Sequence, residues 1–461
     1  MTTSTIENPL GGRTAIIGTG TRAAMYIRGI AERPSSRVVA LLEPNSIRAK
    51  YYNDILSSLG APTVPVYRPE QFKEMLEKEK VETVVVTCVD SLHHLYIIRA
   101  LEAGVRVLTE KPMTVDVEKC RAILDAVERT GRHLTVTFNY RYNPTHEAVK
   151  RVIAEGTIGE VLSVNFEWLL DSVHGADFFR RWHREKATSG GLLVHKAGHH
   201  FDLVNWWIDS TPATVVGMGR LAFYGEENGR KHGWVKETYE RARGSDAAKS
   251  DPFSLNLEDD ETLVDLYQNA EGEDGYHRDQ SVFASSDSKN PITIEDDMSL
   301  LVRYRCGATM TYHLTAYSPW EGYRVMFNGS KGRLELHVCE SEYRLPSSKE
   351  NKENGMTGLI HGLGVLPHEG ETKVTLHPLW EKPRTLDVGV DHTAHGGGDI
   401  RMMSVLFGPR EGEVVDTGDA SKRSATERDG ALALAVGLAG NESFKTGQFV
   451  DIASLGLGDL E

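Results

Sequence analysis

The sequence contains few cysteines, and they are scattered. Only four occur in 461 residues, and none has the short spacing to another that is typical of a metal site or a redox-active pair. Sparse, unpaired cysteines are typical of a reducing compartment. We therefore expect no disulfide framework and no cysteine-bound metal, and we expect a cytoplasmic protein.

The sequence also lacks a long apolar run and an excess of positive charge. No stretch approaches the roughly 20 apolar residues of a transmembrane helix, and residues 1–12 contain no apolar core of a secretory signal. Asp and Glu outnumber Lys and Arg by 66 to 52, which gives a formal net charge of −14. Such a chain has no general attraction for phosphate backbones or anionic lipids. We expect neither nucleic acid nor a membrane as a partner.

What the sequence does contain is typical of a globular protein. Hydrophobic residues make up 40% and charged residues 26% of the chain, which excludes a disordered or fibrous protein. A chain of this length exceeds what one hydrophobic core usually organises. The residue pattern changes near residue 145, so we predict one domain over residues 1–145 and a second over 146–461.

The first strand of the chain runs into a glycine-rich turn. Residues 13–18 are typical of an apolar strand and residues 24–32 of a helix. Between them, Gly18 permits a tight turn, Gly20 allows a pyrophosphate to approach the backbone, and Ala23 allows close packing of helix on strand. A helix N-terminus also attracts phosphate. The turn therefore predicts a dinucleotide site with the cofactor-binding residues Gly18, Gly20, Thr21, Arg22 and Ala23.

An acidic residue follows the second predicted strand. Glu43 ends the apolar stretch 37–42, 25 residues beyond Gly18. A carboxylate there accepts hydrogen bonds from the ribose hydroxyls of NAD and repels the 2′-phosphate of NADP. This favours NAD, although the nearby Arg48 leaves NADP as an alternative.

Strands and helices then alternate up to residue 137. Such alternation predicts a doubly wound parallel sheet, in which ligands bind beyond the carboxyl ends of the strands. The predicted strands are 81–87, 105–109 and 133–137, and the predicted helices are 92–103 and 117–130. The residues that follow these strands, and so are expected at the site, are Asp90, His93, Glu110, Lys111 and the segment 139–142.

Several motifs, in this order, resemble those of the Gfo/Idh/MocA family of sugar and cyclitol dehydrogenases. They include the glycine turn followed by Arg-Ala and an element similar to the family's Asn-x-x-His. Others are an intact Glu-Lys-Pro and a Gly-Gly…His-x-x-Asp signature. In this chain the motifs after the turn are Asp90-Ser91-Leu92-His93, Glu110-Lys111-Pro112, Tyr140-Arg141-Tyr142-Asn143-Pro144 and residues 190–202.

The resemblance implies a fold, an activity and a set of site residues. It implies an N-terminal Rossmann domain, a C-terminal α+β domain with an open, mostly antiparallel sheet, and a homodimer or homotetramer. The implied reaction is hydride transfer between NAD and a secondary hydroxyl of a sugar, cyclitol or sugar derivative. By this resemblance, Lys111 and His199 flank the reacting hydroxyl, with residue 195 as their partner. The implied substrate-binding residues are Tyr140, Arg141, His200 and His395.

One position departs from the family's signature. Where the family usually has Asp, this chain has His195, and the usual His follows four residues later as His199. Residues at that spacing share one face of a helix, so both imidazoles are expected in one site. Histidine titrates near neutral pH and suits the proton-accepting step. His199 is the first candidate for the base, but the exchange at 195 leaves the assignment between the two open. No Cys or Glu lies nearby in sequence to complete a zinc site, so we expect no metal.

The second half of the sequence predicts a sheet with long connections. An acidic insertion over residues 223–291 is interpreted mostly as a surface excursion, although 239–243 and 276–283 mix aromatic and charged residues as sugar-contacting loops do. A second long connection covers 346–383, and a Gly-rich loop over 392–399 contains His395. The terminal segment, about 424–455, is expected to pack back, and with it the chain resembles a complete family member. The predicted strands are 161–168, 213–219, 300–304, 309–317, 322–328 and 332–338.

Two other functions remain as alternatives. The same residues would serve an NAD-dependent glycosidase or lyase that oxidises a ring hydroxyl transiently and eliminates the aglycone. A non-enzymatic NAD-binding regulator is the third interpretation. The intact Glu110-Lys111-Pro112 motif and the histidine cluster argue against it.

Overall fold

The protein is built on two sheets, described from a computed structural model. The structure describes residues 12–285, 287–346, 370–391, 394–413, 423–458 and 460. No helix in these ranges is long and apolar enough to cross a membrane.

The N-terminal sheet is parallel and has the strand order β6-β5-β4-β1-β2-β3. Its strands are short and almost wholly buried because helices cover both faces. The order reverses between β4 and β1, where open α/β sheets bind their ligands. The strands are β1 (Gly12–Ile17), β2 (Ser36–Leu42), β3 (Val66–Tyr67), β4 (Thr83–Val86), β5 (Arg106–Thr109) and β6 (Leu134–Val136). The helices are α1 (Ala23–Ala31), α2 (Ser46–Ser58), α3 (Phe72–Lys78), α4 (His93–Glu102) and α5 (Val117–Thr130). The predicted Rossmann domain is confirmed.

The second sheet is antiparallel except for one pair, β7 with β10. Its order is β14-β13-β12-β11-β7-β10-β9-β8-β16, which confirms the predicted open sheet. The strands are β7 (Val161–Asp171), β8 (Pro212–Arg220), β9 (Asp297–Tyr304), β10 (Thr309–Ser318), β11 (Glu321–Gly329), β12 (Gly332–Ser341), β13 (Thr372–Pro378), β14 (Arg384–Leu386) and β16 (Val450–Asp451). β13 lies in the connection 346–383, where the sequence patterns predict no strand; residues 347–369 lie outside the described ranges.

The described part of the second half of the chain also contains helices, some of which carry much of the site. They are α6 (Pro144–Ala154), α7 (His174–Arg180), α8 (Lys186–Ser189), α9 (Leu192–His195), α10 (Gly198–Ile208), α11 (Glu226–Lys231), α12 (Glu261–Leu263), α13 (Glu271–Asp274), α14 (Gly398–Phe407) and α15 (Glu427–Thr446). On β9, buried and exposed residues alternate, so one face of the sheet is buried. Leu301 on the other face is 44% exposed, and the expected homodimer or homotetramer stays a prediction.

The terminal segment joins the two sheets. A short strand before α15, β15 (Ala425–Thr426), pairs antiparallel with β6 of the first sheet. After α15, β16 pairs with β8 of the second sheet. The segment therefore packs back across both domains, as expected.

Part of the insertion packs against the first domain, so the prediction of a surface excursion does not hold for residues 257–266. Leu257, Leu263 and Leu266 are at most 3% exposed and belong to one hydrophobic cluster with Ile27 of α1 and Tyr52 of α2. Because these side chains pack on the helices that flank the glycine turn, the insertion lies against the nucleotide half of the first domain.

Candidate active site

A cavity of about 480 Å³ lies at the carboxyl ends of the parallel strands. One side is formed by the ends of β1, β2, β4 and β5, and the other by α7, α9, α10, the residues next to them and the insertion. Twelve of the sixteen predicted site residues line it: Gly18, Gly20, Thr21, Arg22, Glu43, Asp90, His93, Glu110, Lys111, His195, His199 and His395. The structure does not place Ala23, Tyr140, Arg141 or His200 on its wall.

The glycine turn leaves room for a phosphate group. Gly18 has a φ of +87°, and a Cβ there would lie 2.6 Å from the Cα of Cys88. A Cβ on Gly20 would meet no atom within 4 Å, so this backbone borders the open cavity. The backbone N–H of Thr21 points to the same side and donates to the Tyr267 hydroxyl at 3.2 Å. The turn thus fits a dinucleotide pyrophosphate, while the buried Ala23 contributes the packing of α1 on the sheet.

Arg22 is held by two carboxylates rather than pointing freely into the cavity. Its Nε donates to Glu110 at 2.6 Å and its terminal nitrogens donate to Asp399 at 3.0 and 3.2 Å. Asp399 also pairs with His395 Nδ1 at 2.8 Å. Burial would raise the pKa of Asp399, but Arg22 and His395 hold it far below its ordinary value. This network ties the glycine turn to the Glu-Lys-Pro segment and to the loop that carries His395. His392 and Thr393 of that loop lie outside the described residues.

Glu43 has the surroundings expected of a ribose ligand. One carboxylate oxygen accepts hydrogen bonds from the N–H and hydroxyl of Thr19, at 2.8 and 2.9 Å. The other accepts from the Asn45 N–H at 2.9 Å and lies 3.6 Å from an Arg48 nitrogen. These contacts fix the carboxylate in place at the end of β2.

His93 lines the cavity but uses both ring nitrogens elsewhere. They face the carbonyl oxygens of Pro112 at 2.9 Å and Cys88 at 3.1 Å. His93 is 1% exposed, and burial lowers its pKa. Its position holds the Glu-Lys-Pro segment against the end of β4.

Lys111 lies where the two domains meet. Its Nζ donates to the backbone carbonyl of His195 at 3.1 Å. Burial lowers the pKa of Lys111 to about 8, against the opposing effect of Asp90 and Glu110. The Lys111 ammonium therefore loses its charge as the pH rises through about 8.

His195 and Asp90 form a close pair. The Nδ1 of His195 lies 2.5 Å from a carboxylate oxygen of Asp90, a distance that requires one shared proton. Burial lowers the pKa of His195 well below its ordinary range, so its imidazole is neutral. Burial also raises the pKa of Asp90, with Lys111 and Arg181 opposing. In the described part of the chain, the Nε2 of His195 has no hydrogen-bond partner.

The chain breaks its helix between the two predicted catalytic histidines. His195 ends α9, and α10 begins at Gly198. The expectation that His195 and His199 share a face of one helix is therefore wrong, although both reach the cavity. His199 stacks on Tyr140 with ring centroids 4.6 Å apart. Its Nδ1 is buried and has no hydrogen-bond partner among the described residues.

His200 and Arg141 lie in the interior behind the cavity. His200 stacks on Trp168 at 4.2 Å, and its Nδ1 is 2.7 Å from the Tyr312 hydroxyl. Arg141 donates two hydrogen bonds to Asp202, at 2.6 and 2.8 Å. Neither side chain lines the cavity, and their predicted role in substrate binding stays a prediction. Tyr140, behind His199, positions that ring.

Sequence patterns miss several charged residues of the cavity. Arg278 of the insertion is 3% exposed and approaches Asp177 at 3.2 Å, as does Arg181 at 2.7 Å. Lys196, next to His195, lies 4.8 Å from the centre of the Trp168 ring. Lys196 belongs to a motif, and Arg278 lies in the segment 276–283 that the sequence patterns single out. Asp177 and Arg181, in and beside α7, belong to no motif. Two segments of the insertion combine aromatic and charged residues. Segment 276–283 reaches the cavity through Tyr276 and Arg278, whereas no residue of segment 239–243 lines it.

No metal site is evident in the described ranges, because no group of three or more His, Cys, Asp or Glu side chains there is arranged to hold an ion.

The fold and the cavity define an NAD-binding oxidoreductase. Residues 12–138 match the oxidoreductase family with an NAD-binding Rossmann fold, and residues 150–359 match its C-terminal alpha/beta domain. The chain belongs to this family, the Gfo/Idh/MocA oxidoreductases, and is a dehydrogenase acting on CH–OH groups.

Its relatives include proteins with and without a named substrate. YteT of Bacillus subtilis strain 168 is 34% identical to this chain over 409 residues, which are 85% of this chain and 87% of YteT. YteT is named as an oxidoreductase without a substrate. Inositol 2-dehydrogenase of Rubrobacter xylanophilus is 27% identical over 211 residues, 44% of this chain and 54% of that protein. A crystal structure of an oxidoreductase from Agrobacterium radiobacter with NAD+, L-tartaric acid and magnesium has a TM-score of 0.60 at 14% identity, covering 96% of this chain and 99% of that one.

Proposed function

We propose that this protein oxidises a secondary hydroxyl of a sugar, cyclitol or sugar derivative, with NAD as the hydride acceptor. The observation that carries the proposal is the convergence of the His195–Asp90 pair and Lys111 in one cavity with the glycine turn. Inositol dehydrogenases among the relatives agree with the substrate class.

His195 takes the hydroxyl proton in this proposal. Asp90 accepts the Nδ1 proton of His195, which leaves the Nε2 lone pair directed at the cavity. A carboxylate that fixes the tautomer of a histidine in this way makes the other nitrogen a general base. The neutral state of His195 at the working pH allows it to accept the proton.

Lys111 stabilises the negative charge that develops on the substrate oxygen. Its ammonium group hydrogen-bonds the His195 carbonyl, which fixes Nζ close to the base. A fixed cation in a cavity with little water stabilises an alkoxide more strongly than it would in bulk solvent. NAD, when bound at the glycine turn, supplies the acceptor for the hydride.

His199 has a different role from the one first expected. Its Nδ1 has no partner among the described residues, so nothing there selects a tautomer, in contrast to His195. We assign His199 to hydrogen bonding of the substrate, with the stacked Tyr140 holding its ring in place.

The experiment is a substrate panel with NAD. Sugars, cyclitols, sugar acids and aryl glycosides are incubated with the protein, and NADH and released aglycone are followed together. Stoichiometric NADH from one class, lost in Lys111→Ala but retained in the control Lys50→Ala, supports the proposal. Lys50 is a matched control because it is an exposed lysine of α2 paired with Asp54. Turnover of a glycoside without net NADH formation would overturn the proposed function in favour of NAD-dependent glycoside cleavage.

A further inference from the structure

Two carboxylates hold Arg48 at the nucleotide end of the cavity. One is Glu43, 3.6 Å away at the end of β2. The other is Asp274 of the insertion, whose carboxylate forms an ion pair with the same Arg48 nitrogen. All three side chains line the cavity. Arg48 is the only one of the three that could attract a phosphate.

Asp274 is fixed in this position by the segment around it. Its carboxylate accepts a hydrogen bond from the Asn45 side chain at 3.1 Å and from the backbone N–H of Tyr276 at 3.0 Å. Asn45 also donates to the Ala270 carbonyl at 3.0 Å. On the same segment, the Tyr267 hydroxyl accepts from the Thr21 N–H of the glycine turn. The insertion therefore contacts the dinucleotide half of the cavity at both the turn and the end of β2.

The arrangement bears on which dinucleotide the site accepts. In Rossmann domains an acidic residue at the end of the second strand binds the ribose 2′-hydroxyl, and a nearby Arg accommodates the 2′-phosphate of NADP. Here the Arg is present, but its charge is already compensated. The three side chains together carry a charge of −1, and without Asp274 they would carry none. A 2′-phosphate brings a charge of about −1.5 to −2 and so would be repelled.

We propose that Asp274, contributed by the insertion of the second domain, makes the site select NAD over NADP by occupying Arg48. The proposal rests on dinucleotide binding at the glycine turn and not on the identity of the substrate.

The test measures binding and needs no substrate. NAD, NADP and their reduced forms are titrated into the full-length protein, and Kd is read from protein or nicotinamide fluorescence. We expect Asp274→Asn to lower the ratio of the NADP Kd to the NAD Kd by about 10- to 100-fold, because one negative charge beside the 2′-phosphate is removed and Arg48 is released. The Asn side chain can still accept from the Tyr276 N–H, so the local fold is kept.

The adjacent residue is a matched control. Glu273 is also acidic, but it binds the N–H and hydroxyl of Ser46 and does not line the cavity. Glu273→Gln removes the same charge one residue away, and we expect it to change the ratio by less than about threefold, since Glu273 binds Ser46 rather than Arg48. If Glu273→Gln has the same effect as Asp274→Asn, or if neither changes the ratio, the proposal is wrong.

A second variant tests the route through Arg48. In the Asp274→Asn background, Arg48→Gln should remove most of the gained NADP affinity. Retention of the gain would show that Arg48 is not the group released. A protein that binds NAD with this selectivity but oxidises no polyol would contradict the proposed function alone.

Discussion

Replacing Asp90 by Asn tests the assignment of the base with almost no change in shape. Asp90 is 4% exposed, and its carboxylate oxygen lies 2.5 Å from Nδ1 of His195. An Asn amide can present its NH2 group to Nδ1 instead, which moves the imidazole proton to Nε2. The nitrogen that faces the substrate would then be a donor and could not accept the hydroxyl proton.

The size of the effect follows from this change of tautomer. Loss of a positioned general base costs about 10²- to 10⁴-fold in rate, which is about 2.7 to 5.5 kcal/mol of transition-state stabilisation. We expect kcat of Asp90→Asn to fall by that factor. The affinity for NAD should change by less than about threefold, since Asp90 acts through His195.

The assay is NADH formation at saturating substrate and NAD, with NAD affinity measured separately by titration. A double-mutant cycle that combines Asp90→Asn with His195→Ala provides the control. Residues that act as a unit are non-additive, so the double variant should be no slower than His195→Ala alone. A kcat within about threefold of the unaltered protein, or losses that multiply in the double variant, would refute the pairing of Asp90 with His195 as the base.

Three further predictions concern the same site and its support. Because burial lowers the pKa of Lys111 to about 8, the ammonium is charged below that pH, and we expect the oxidation rate to fall as pH rises through 8. Lys111→Arg should lack this decline, whereas a rate that rises through pH 8 would mean that Lys111 is the base. Asp202 is 1% exposed, and Asp202→Asn should lower the free energy of unfolding by about 2 kcal/mol, because it leaves Asp429, 2.9 Å away, as the remaining carboxylate partner of the buried Arg141. Denaturant unfolding measures this, and a loss below about 1 kcal/mol would contradict a structural role. Gly18→Ala should destabilise the protein by at least about 1 kcal/mol and weaken NAD binding, since its φ is +87° and a Cβ would meet backbone at 2.6 Å. Gly20→Ala, whose Cβ would meet no atom within 4 Å, is the matched control for stability.

The sequence by itself determined the nucleotide half of the protein. Strand, glycine turn, helix and acidic strand end lie within residues 13–43, and each depends on local backbone geometry or on periodic burial. The Glu-Lys-Pro motif is local in the same way, and Lys111 therefore lies where its strand end predicts. The bounds of the predicted strands of both domains agree with the structure to within a few residues for the same reason.

The tertiary structure decided what each histidine does. His199 and His200 are neighbours in sequence, but successive helical residues point about 100° apart, so one faces the cavity and the other faces Trp168. The partner of His195 is Asp90, 105 residues away, and sequence spacing carries no information about such a pair. Arg141 likewise finds Asp202 across the fold.

The insertion shows most clearly what the sequence patterns do not predict. Its acidic, polar composition is that of a surface loop, and only a few apolar residues, such as Leu263 and Leu266, bind it to α1 and α2. Once docked there, it places Tyr267 on the glycine turn and Asp274 on Arg48. These contacts join residues more than 200 positions apart. They depend on which surfaces bury apolar area together, and that is settled by the packing of the whole chain rather than by any local pattern.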